Sequence, residues 1–301
     1  MKFKENPKML SWFILLALMI IWGSSFILIK KGLTVFSSDE VGALRFVISF
    51  IVILPLAIIN LSKIKPHHWK YLILVGILGN AAPFFLFAKA QTEIESSIAG
   101  ILNSLTPLFT LIVGISLFRL KTKWYNVLGI FIGFTGAVGL IYASGSKSFE
   151  LKISYAIYII LATICYALNI NIIKKYLKDI DAVTITVFSF FIIGLPIILY
   201  LLLYTDFPVQ LVTDPNAFKG LGYISILAIF GTVLALIAFN KLIKMTSVIF
   251  AASVTYLIPI VALSWGIIDG EKFEFIYLLW ILIILSGVFL VNLNKRQKDK
   301  L

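Results

Sequence analysis

The stretch SSIAGILNSLTPLFTLIVGISLF, Ser96–Phe118, holds 23 residues without a charged side chain. A helix of about 20 apolar residues crosses the roughly 30 Å hydrocarbon core of a bilayer. At the helical repeat, its small and polar residues share one face and bulky aliphatic residues cover the rest. That face consists of Gly100, Asn103, Pro107, Thr110 and Gly114. The stretch therefore predicts a membrane-spanning helix with one polar, closely packing face.

The same pattern returns 152 positions later in the chain. The five corresponding places hold Ala252, Thr255, Pro259, Ala262 and Gly266. When Lys70–Arg119 is aligned without a gap to Gly222–Glu271, 11 of 50 positions are identical. This composition predicts only about four or five identities by chance, so an internal repeat is the better interpretation. We predict two copies of one membrane unit, residues 1–145 and 146–301.

Composition agrees with a polytopic membrane protein, because 60% of the 301 residues are hydrophobic and 13% are charged. Ten apolar runs predict ten membrane-spanning helices. They are Leu10–Ile29, Asp39–Asn60, Tyr71–Ala90, Ser96–Phe118, Trp124–Ala143, Ile153–Ile173, Ala182–Tyr204, Phe218–Asn240, Ser247–Ile268 and Phe275–Leu293. The segment Ser144–Ser146 is predicted to be the flexible join between the copies.

Basic residues are distributed unevenly between alternate connections. One set, which includes both termini, holds 18 of the 26 Lys and Arg residues, and the opposite set holds 7. The positive-inside rule places the richer set, and so both termini, in the cytoplasm. Five spans per copy is an odd number, so the second copy enters the membrane inverted. The prediction is an all-α polytopic membrane protein of ten transmembrane helices in two inverted five-helix repeats, an architecture of alternating-access transporters.

Several motifs carry a family resemblance. They are IWGSSF at Ile21–Phe26, LRF at Leu44–Phe46, LTPLFT at Leu105–Thr110, LIPIVA at Leu257–Ala262 and Gly270-Glu271. In these motifs the chain resembles the EamA-type permeases of the drug/metabolite transporter superfamily. The resemblance covers nearly the whole chain. The resemblance implies ten helices, cytoplasmic termini and export as the direction of transport. In that family, the fourth span of the first repeat usually ends in Gly-Glu. This chain has Phe118-Arg119 there, so the acid remains only in the second half, at Glu271.

The sequence offers no arrangement typical of an enzyme. Ser24 and Ser25 have no His or acid at similar depth, so a nucleophile and base cannot be assembled from them. His67 and His68 lie in a predicted loop without a nearby acid, and we expect them to be solvated rather than to bind metal. The net charge of +12 follows the membrane orientation and does not indicate nucleic acid. We predict no catalytic residue, metal or cofactor.

Arg45 is the one clear cation inside a predicted span. Two positions are open to it. Its long side chain can extend to the outer headgroups. Alternatively, it faces the mouth of a cavity and attracts a carboxylate or phosphate of a solute, because a guanidinium presents a planar fork of donors.

Uncharged polar residues lie near the middle of spans in both copies. Asn80 and Asn103 correspond to Thr232 and Thr255, and Tyr256 follows the latter. Because unpaired polar groups are costly in hydrocarbon, these side chains either hydrogen-bond between helices or line a polar cavity. Trp22 and Tyr166 occupy matching places in the first helix of each copy, as packing residues or as aromatic walls. The candidate solute-binding set is Trp22, Arg45, Asn80, Asn103, Tyr166, Thr232, Thr255 and Tyr256.

These observations predict a secondary-type permease of the cytoplasmic (inner) membrane. Its solutes would be small organic metabolites, such as amino acids or related neutral or zwitterionic molecules, moved by alternating access, and its partners are the solute and the bilayer. Two alternatives remain open: a flippase for a lipid-linked sugar, and a structural membrane protein that moves no solute.

Overall fold

The computed structural model of the chain describes residues 7–60, 64–120, 122–143, 149–246, 250–251 and 253–292. Within these ranges the chain forms helices and their connections without a β-strand, so the predicted all-α class is confirmed there. Eight helical stretches are long and apolar enough to cross a membrane, and two shorter apolar helices follow them. The predicted join Ser144–Ser146, and with it the boundary between the copies, lies outside the described residues.

The helices of the first half are α1 (Pro7–Leu33), α2 (Ser38–Asn60), α3 (Trp69–Gly76), α4 (Ala82–Ala90), α5 (Ser96–Asn103), α6 (Thr106–Phe118) and α7 (Trp124–Ala143). Those of the second half are α8 (Phe149–Tyr176), α9 (Ala182–Leu203), α10 (Phe207–Thr213), α11 (Ala217–Ala228), α12 (Ala235–Met245), α13 (Ile258–Ile268) and α14 (Ile276–Asn292). A short polar side chain caps the start of one of these helices. Asp181 accepts from the backbone N–H of Thr184 at 2.9 Å and so caps the start of α9.

The stretch Ser96–Phe118 is the most deeply buried of the eight long stretches, but it is not one unbroken helix. A turn separates α5 from α6, because Pro107 has no N–H to donate to the carbonyl of Asn103. The Thr106 hydroxyl donates to that carbonyl instead, at 2.7 Å. In the second half a turn at Leu257 likewise precedes α13 and Pro259. Thus α6 and α13 begin 152 positions apart, at the spacing of the sequence repeat.

A second irregularity also recurs. The π-helical segments Ile77–Ala81 and Ile229–Leu234 connect α3 to α4 and α11 to α12, and they too begin 152 positions apart. A π-helical turn is often found at functional sites. In the second of these segments, the carbonyl of Gly231 accepts from the indole N–H of Trp22 at 3.0 Å.

Small residues let helices approach closely. A Cβ placed on Gly287 of α14 would lie 2.4 Å from the backbone nitrogen of Gly133 in α7, so this pair packs backbone against backbone. A Cβ on Gly100 of α5 would lie 2.4 Å from that of Ala262 in α13. These contacts join helices of the first half to helices of the second.

Candidate functional site

A cavity lies between helices of both halves. The empty space among its lining residues, with the open space at its mouth included, is about 740 Å³. Six aromatic side chains line it: Trp22, Phe26, Phe84, Phe87, Tyr166 and Phe239. Its polar lining consists of Ser25, Arg45, Asn103, Thr106, Asn169 and Thr255. The cavity is therefore an aromatic chamber with a few polar groups.

Arg45 turns into this cavity. Only 6% of its surface is exposed, which answers the question of its position in favour of the cavity over the helix ends. Its Nε donates to Thr232 Oγ1 at 2.9 Å, and its guanidinium carbon lies 3.9 Å from the ring centroid of Phe84. Among the described residues, no carboxylate forms a salt bridge with it. The guanidinium can therefore receive an anionic group of a solute.

Thr232 accepts a hydrogen bond from Arg45 and is not part of the cavity lining. Its hydroxyl donates to the carbonyl of Leu227 at 3.2 Å, so an oxygen lone pair remains to accept from Arg45. The π-helical segment that contains Thr232 thus positions the guanidinium. Thr232 orients a cavity residue.

Asn80 makes the corresponding contact of the other copy. Its Nδ2 donates to Ser189 Oγ at 3.0 Å, and it lies outside the cavity lining. Ser189 follows Lys174 by the same 15 positions that separate Arg45 from Lys30. Asn80–Ser189 is therefore the counterpart of Thr232–Arg45, and a short serine stands where the first copy has its arginine. The amide of Asn80 joins two helices.

Five of the eight predicted residues line the cavity: Trp22, Arg45, Asn103, Tyr166 and Thr255. The ring of Trp22 packs edge-on against Phe239 at a centroid distance of 4.8 Å, and Tyr166 stacks on Phe87 at 6.0 Å. The side chain of Tyr256 lies outside the described residues.

Asn169 lines the cavity, although the sequence-based set did not include it. It follows Tyr166 by three residues on α8, so one helical face carries both side chains. Trp22 and Tyr166 are paired by the repeat, and the residues three positions after them are Ser25 and Asn169. Extending the pairing by this one helical turn would have identified both, and both line the cavity. The identical repeat positions Phe87 and Phe239 do so as well.

At one end of the bundle, an ion cluster joins α1 to the connection between α13 and α14. We name it the Glu271 clamp; it comprises Lys30, Lys31, Ser96, Ser97, Asp269 and Glu271. Lys30 Nζ lies 2.9 Å from Glu271 Oε1 and 2.8 Å from Asp269 Oδ2. Glu271 also accepts from the backbone N–H groups of Ser96 and Ser97, at 2.9 and 3.0 Å. These groups are the unpaired donors at the start of α5.

Burial of Glu271 would by itself raise its pKa, but the hydrogen bonds from Ser96, Ser97 and Lys30 bring the pKa below its usual value. The other end of the bundle has no equivalent carboxylate, because Arg119 stands at the position that corresponds to Glu271. Lys174, the counterpart of Lys30, donates to the carbonyl of Ile243 at 2.8 Å. The clamp therefore belongs to one end of the molecule.

The prediction that both histidines are solvated is wrong for His68, which is 2% exposed. The fold brings the α8–α9 connection against it, and His68 Nε2 lies 2.9 Å from Asp179 Oδ2. His67, His68 and Asp179 lie close enough together to be considered as metal ligands. However, His68 Nδ1 accepts from the backbone N–H of Lys65 at 3.2 Å, so Nε2 carries the proton that it shares with Asp179. This arrangement favours a hydrogen-bonded contact over a metal site.

Comparisons with known proteins show the family of this chain. A model of the EamA-like transporter family matches residues 9–142 and 153–293. The "Uncharacterized inner membrane transporter YedA" of Escherichia coli (strain K12) is 28% identical over 294 residues, which cover 93% of this chain and 90% of that protein. The "Uncharacterized transporter YyaM" of Bacillus subtilis (strain 168) is 25% identical over 286 residues, 92% of each. A solved crystal structure, described only as that of a protein, has a similar fold, with a TM-score of 0.64 at 14% identity over 94% of this chain and 96% of the other.

Proposed function

Because the chain belongs to the EamA-like transporter family, we propose that it is a secondary-type permease for small organic metabolites. Its solutes are amino acids or related neutral and zwitterionic molecules, and it exports them across the cytoplasmic membrane by alternating access. The family and the printed names of the relatives, an inner membrane transporter among them, support a multi-pass transporter rather than an enzyme.

The proposal includes ten helices in two inverted repeats with both termini in the cytoplasm. Two irregularities that recur at the 152-residue spacing support it. The π-helical segments begin at Ile77 and Ile229, and the helices after the turns begin at Thr106 and Ile258. Alternating access needs two copies that can exchange conformations, and copies that depart from regular helix at the same places meet this need.

The observation that carries the proposal is the aromatic cavity between the two halves with one arginine in it. Arg45 supplies a fixed positive charge, and no carboxylate is among the described lining residues. Desolvating an organic cation without an acidic partner is costly. Solutes with a carboxylate and an apolar body fit the lining better than polyamines or quaternary amines.

Exchange of radiolabelled leucine across liposomes that contain the purified protein tests this proposal. Wild-type protein should exchange leucine faster than protein-free liposomes. Arg45→Ala should lower the rate about tenfold or more, because a hydrogen bond to a charged group contributes about 1.5–3 kcal/mol. Arg119→Ala changes an exposed arginine outside the cavity and serves as the matched control.

The proposal fails if the wild-type protein exchanges choline readily and ignores leucine and other amino acids. Equal losses in Arg45→Ala and Arg119→Ala would contradict the role given to Arg45.

A further inference from the structure

Asn169 is a buried residue of the cavity whose hydrogen bonding is incomplete. It is 5% exposed, and its side-chain oxygen has no hydrogen-bond partner among the described residues. The other buried polar atoms in this condition belong to Gln91, Tyr125, Gln210 and Trp280, which do not line the cavity. A buried acceptor without a partner is costly, so such a group calls for an explanation.

Other buried asparagines have found protein partners. The side-chain nitrogen of Asn171 donates to the carbonyls of Thr110 and Ala167, at 3.2 and 2.9 Å. That of Asn240 donates to Thr186 Oγ1 at 2.8 Å. The amides of these two residues join helices, whereas the oxygen of Asn169, a residue of the cavity lining, has no partner among the described residues.

The repeat explains why this amide stands where it does. Ser25 and Asn169 precede Lys30 and Lys174 by the same five positions, and each faces the glycine of a π-helical segment. A Cβ on Gly231 would lie 2.8 Å from Ser25 Oγ, and one on Gly79 would lie 2.7 Å from Asn169 Oδ1. The absence of a side chain at Gly79 therefore leaves the space that the amide occupies.

The two counterparts differ in their chemistry. The hydroxyl of Ser25 donates to the carbonyl of Ile21 in its own helix, at 3.1 Å. Asn169 has a longer side chain, and its oxygen can only accept. The Ser25 hydroxyl is thus hydrogen-bonded within its own helix, whereas the Asn169 oxygen is an acceptor without a donor among the described residues.

We propose that Asn169 recognises a hydrogen-bond donor of the solute, an ammonium or hydroxyl group that accompanies the carboxylate bound by Arg45. This inference rests on the proposed function, because it concerns the same cavity. Arg45 presents only donors and Asn169 Oδ1 only an acceptor, so the pair selects solutes that carry both kinds of group. A solute without the donor leaves the amide oxygen unpaired, and sites built for a polar group reject analogues that lack it.

The aromatic lining is compatible with this selection. Trp22, Phe87, Tyr166 and Phe239 provide apolar walls for a hydrocarbon side chain, and ring faces also attract an ammonium group. The predicted class is therefore carboxylates with an amino or hydroxyl group and an apolar body.

Three acids with one carbon skeleton test the inference: leucine, 2-hydroxy-4-methylpentanoate and 4-methylpentanoate. Their binding to purified protein is measured by titration calorimetry, so that leakage of undissociated acid through liposomes does not enter. Wild-type protein should bind leucine and the hydroxy acid on the order of tenfold more tightly than 4-methylpentanoate, because the last leaves the amide oxygen unpaired.

Asn169→Ala should reduce this ratio to within about twofold, because the acceptor that distinguishes the acids is gone. Asn169→Ser, which copies Ser25, should do the same and provides a second variant if the first does not fold. Asn240→Ala is the matched control, since its amide is bound to Thr186 outside the cavity, and it should keep the wild-type ratio.

The outcomes separate this inference from the proposed function. If the protein exchanges leucine but binds all three acids equally, or if Asn169→Ala and Asn169→Ser keep the wild-type ratio, the role of Asn169 is wrong and the permease proposal stands. If the protein neither exchanges leucine nor binds any of the acids, both are wrong.

Discussion

A charged side chain enclosed in an apolar chamber needs a reason at the level of the single residue. Arg45 keeps one hydrogen bond to Thr232 and one ring contact to Phe84, and no described carboxylate neutralises it. Burial of an unpaired charge costs several kcal/mol, so a site of this kind is retained for function rather than for stability. A carboxylate-bearing solute would supply the missing charge.

Two of the described residues have left-handed backbone conformation. Arg119 has φ of 57° at the end of α6, and Gly270 has φ of 83° just after α13. The left-handed region costs a residue with a Cβ about 1–2 kcal/mol, and glycine nothing comparable. Arg119→Gly should raise the melting temperature of the purified protein by a few degrees, and Gly270→Ala should lower it.

The Gly270 variant isolates the backbone contribution, because a Cβ at that position meets no atom within 4 Å. Thermal unfolding in detergent, followed by tryptophan fluorescence, measures both shifts. A stabilised Gly270→Ala together with a destabilised Arg119→Gly would contradict this account.

At the scale of elements, the Glu271 clamp ties the end of α1 and the start of α5 to the α13–α14 connection. The Glu271 carboxylate accepts hydrogen bonds from the backbone N–H groups of the first turn of α5. The helix dipole favours a negative charge at this position. Since the pKa of Glu271 lies below its usual value, the charge contributes stability at neutral pH. That contribution is lost as pH falls through the lowered pKa, below the ordinary range of a glutamate.

We expect Glu271→Gln to loosen this end of the bundle. The reporter is Ile29→Cys in a Cys165→Ala background, because Ile29 is a 2% exposed cavity residue next to Lys30. In the proposed orientation, a membrane-impermeant maleimide added to intact cells should label the reporter about tenfold faster in Glu271→Gln, because the charge-assisted hydrogen bond that Lys30 donates to Glu271 is lost.

Glu274→Gln is the control, because Glu274 is an exposed acid of the same connection without a salt bridge among the described residues. If the labelling rate is unchanged in Glu271→Gln, or rises equally in Glu274→Gln, the Glu271 clamp does not limit access to position 29.

At the scale of the whole molecule, a repeated backbone carries different chemistry in its two copies. Ser25 and Asn169 are counterparts, as are Arg45 and Ser189, and the acid of Glu271 has no counterpart at Arg119. The same kinds of helix and irregularity thus surround a cavity whose two sides present different side chains. In the proposed permease, copies that are alike in backbone would exchange conformations, and their differences would let a solute bind in one orientation.

The proposed orientation has a direct test. Thr92 and Lys123 are exposed residues of connections at opposite ends of the predicted bundle. In a Cys165→Ala background, a cysteine at Thr92 should react with an impermeant maleimide in intact cells, and one at Lys123 should react only after the membrane is opened, because the basic connections face the cytoplasm. The reverse pattern would overturn the orientation and the side assigned to the clamp.

The sequence by itself determined what depends on local composition and period. Long apolar runs, the 152-residue repeat and the motifs around Arg45 and Pro107 were sufficient for an all-helical membrane protein and for its family. Matching places in the two copies also led to Trp22 and Tyr166, which line the cavity. Pro107 could have predicted the turn before α6 as well, since its effect on the preceding carbonyl is local.

Only the tertiary structure decided which polar groups meet. Asn80 and Gly79 are neighbours in sequence, yet successive helical residues face different directions, so Asn80 contacts Ser189 while Gly79 borders the cavity. The contact of His68 with Asp179, and that of Glu271 with Ser96, join residues more than a hundred positions apart. Hydrophobic period identifies a buried face but not the element that covers it. The partner of a buried polar group is therefore set by packing between helices.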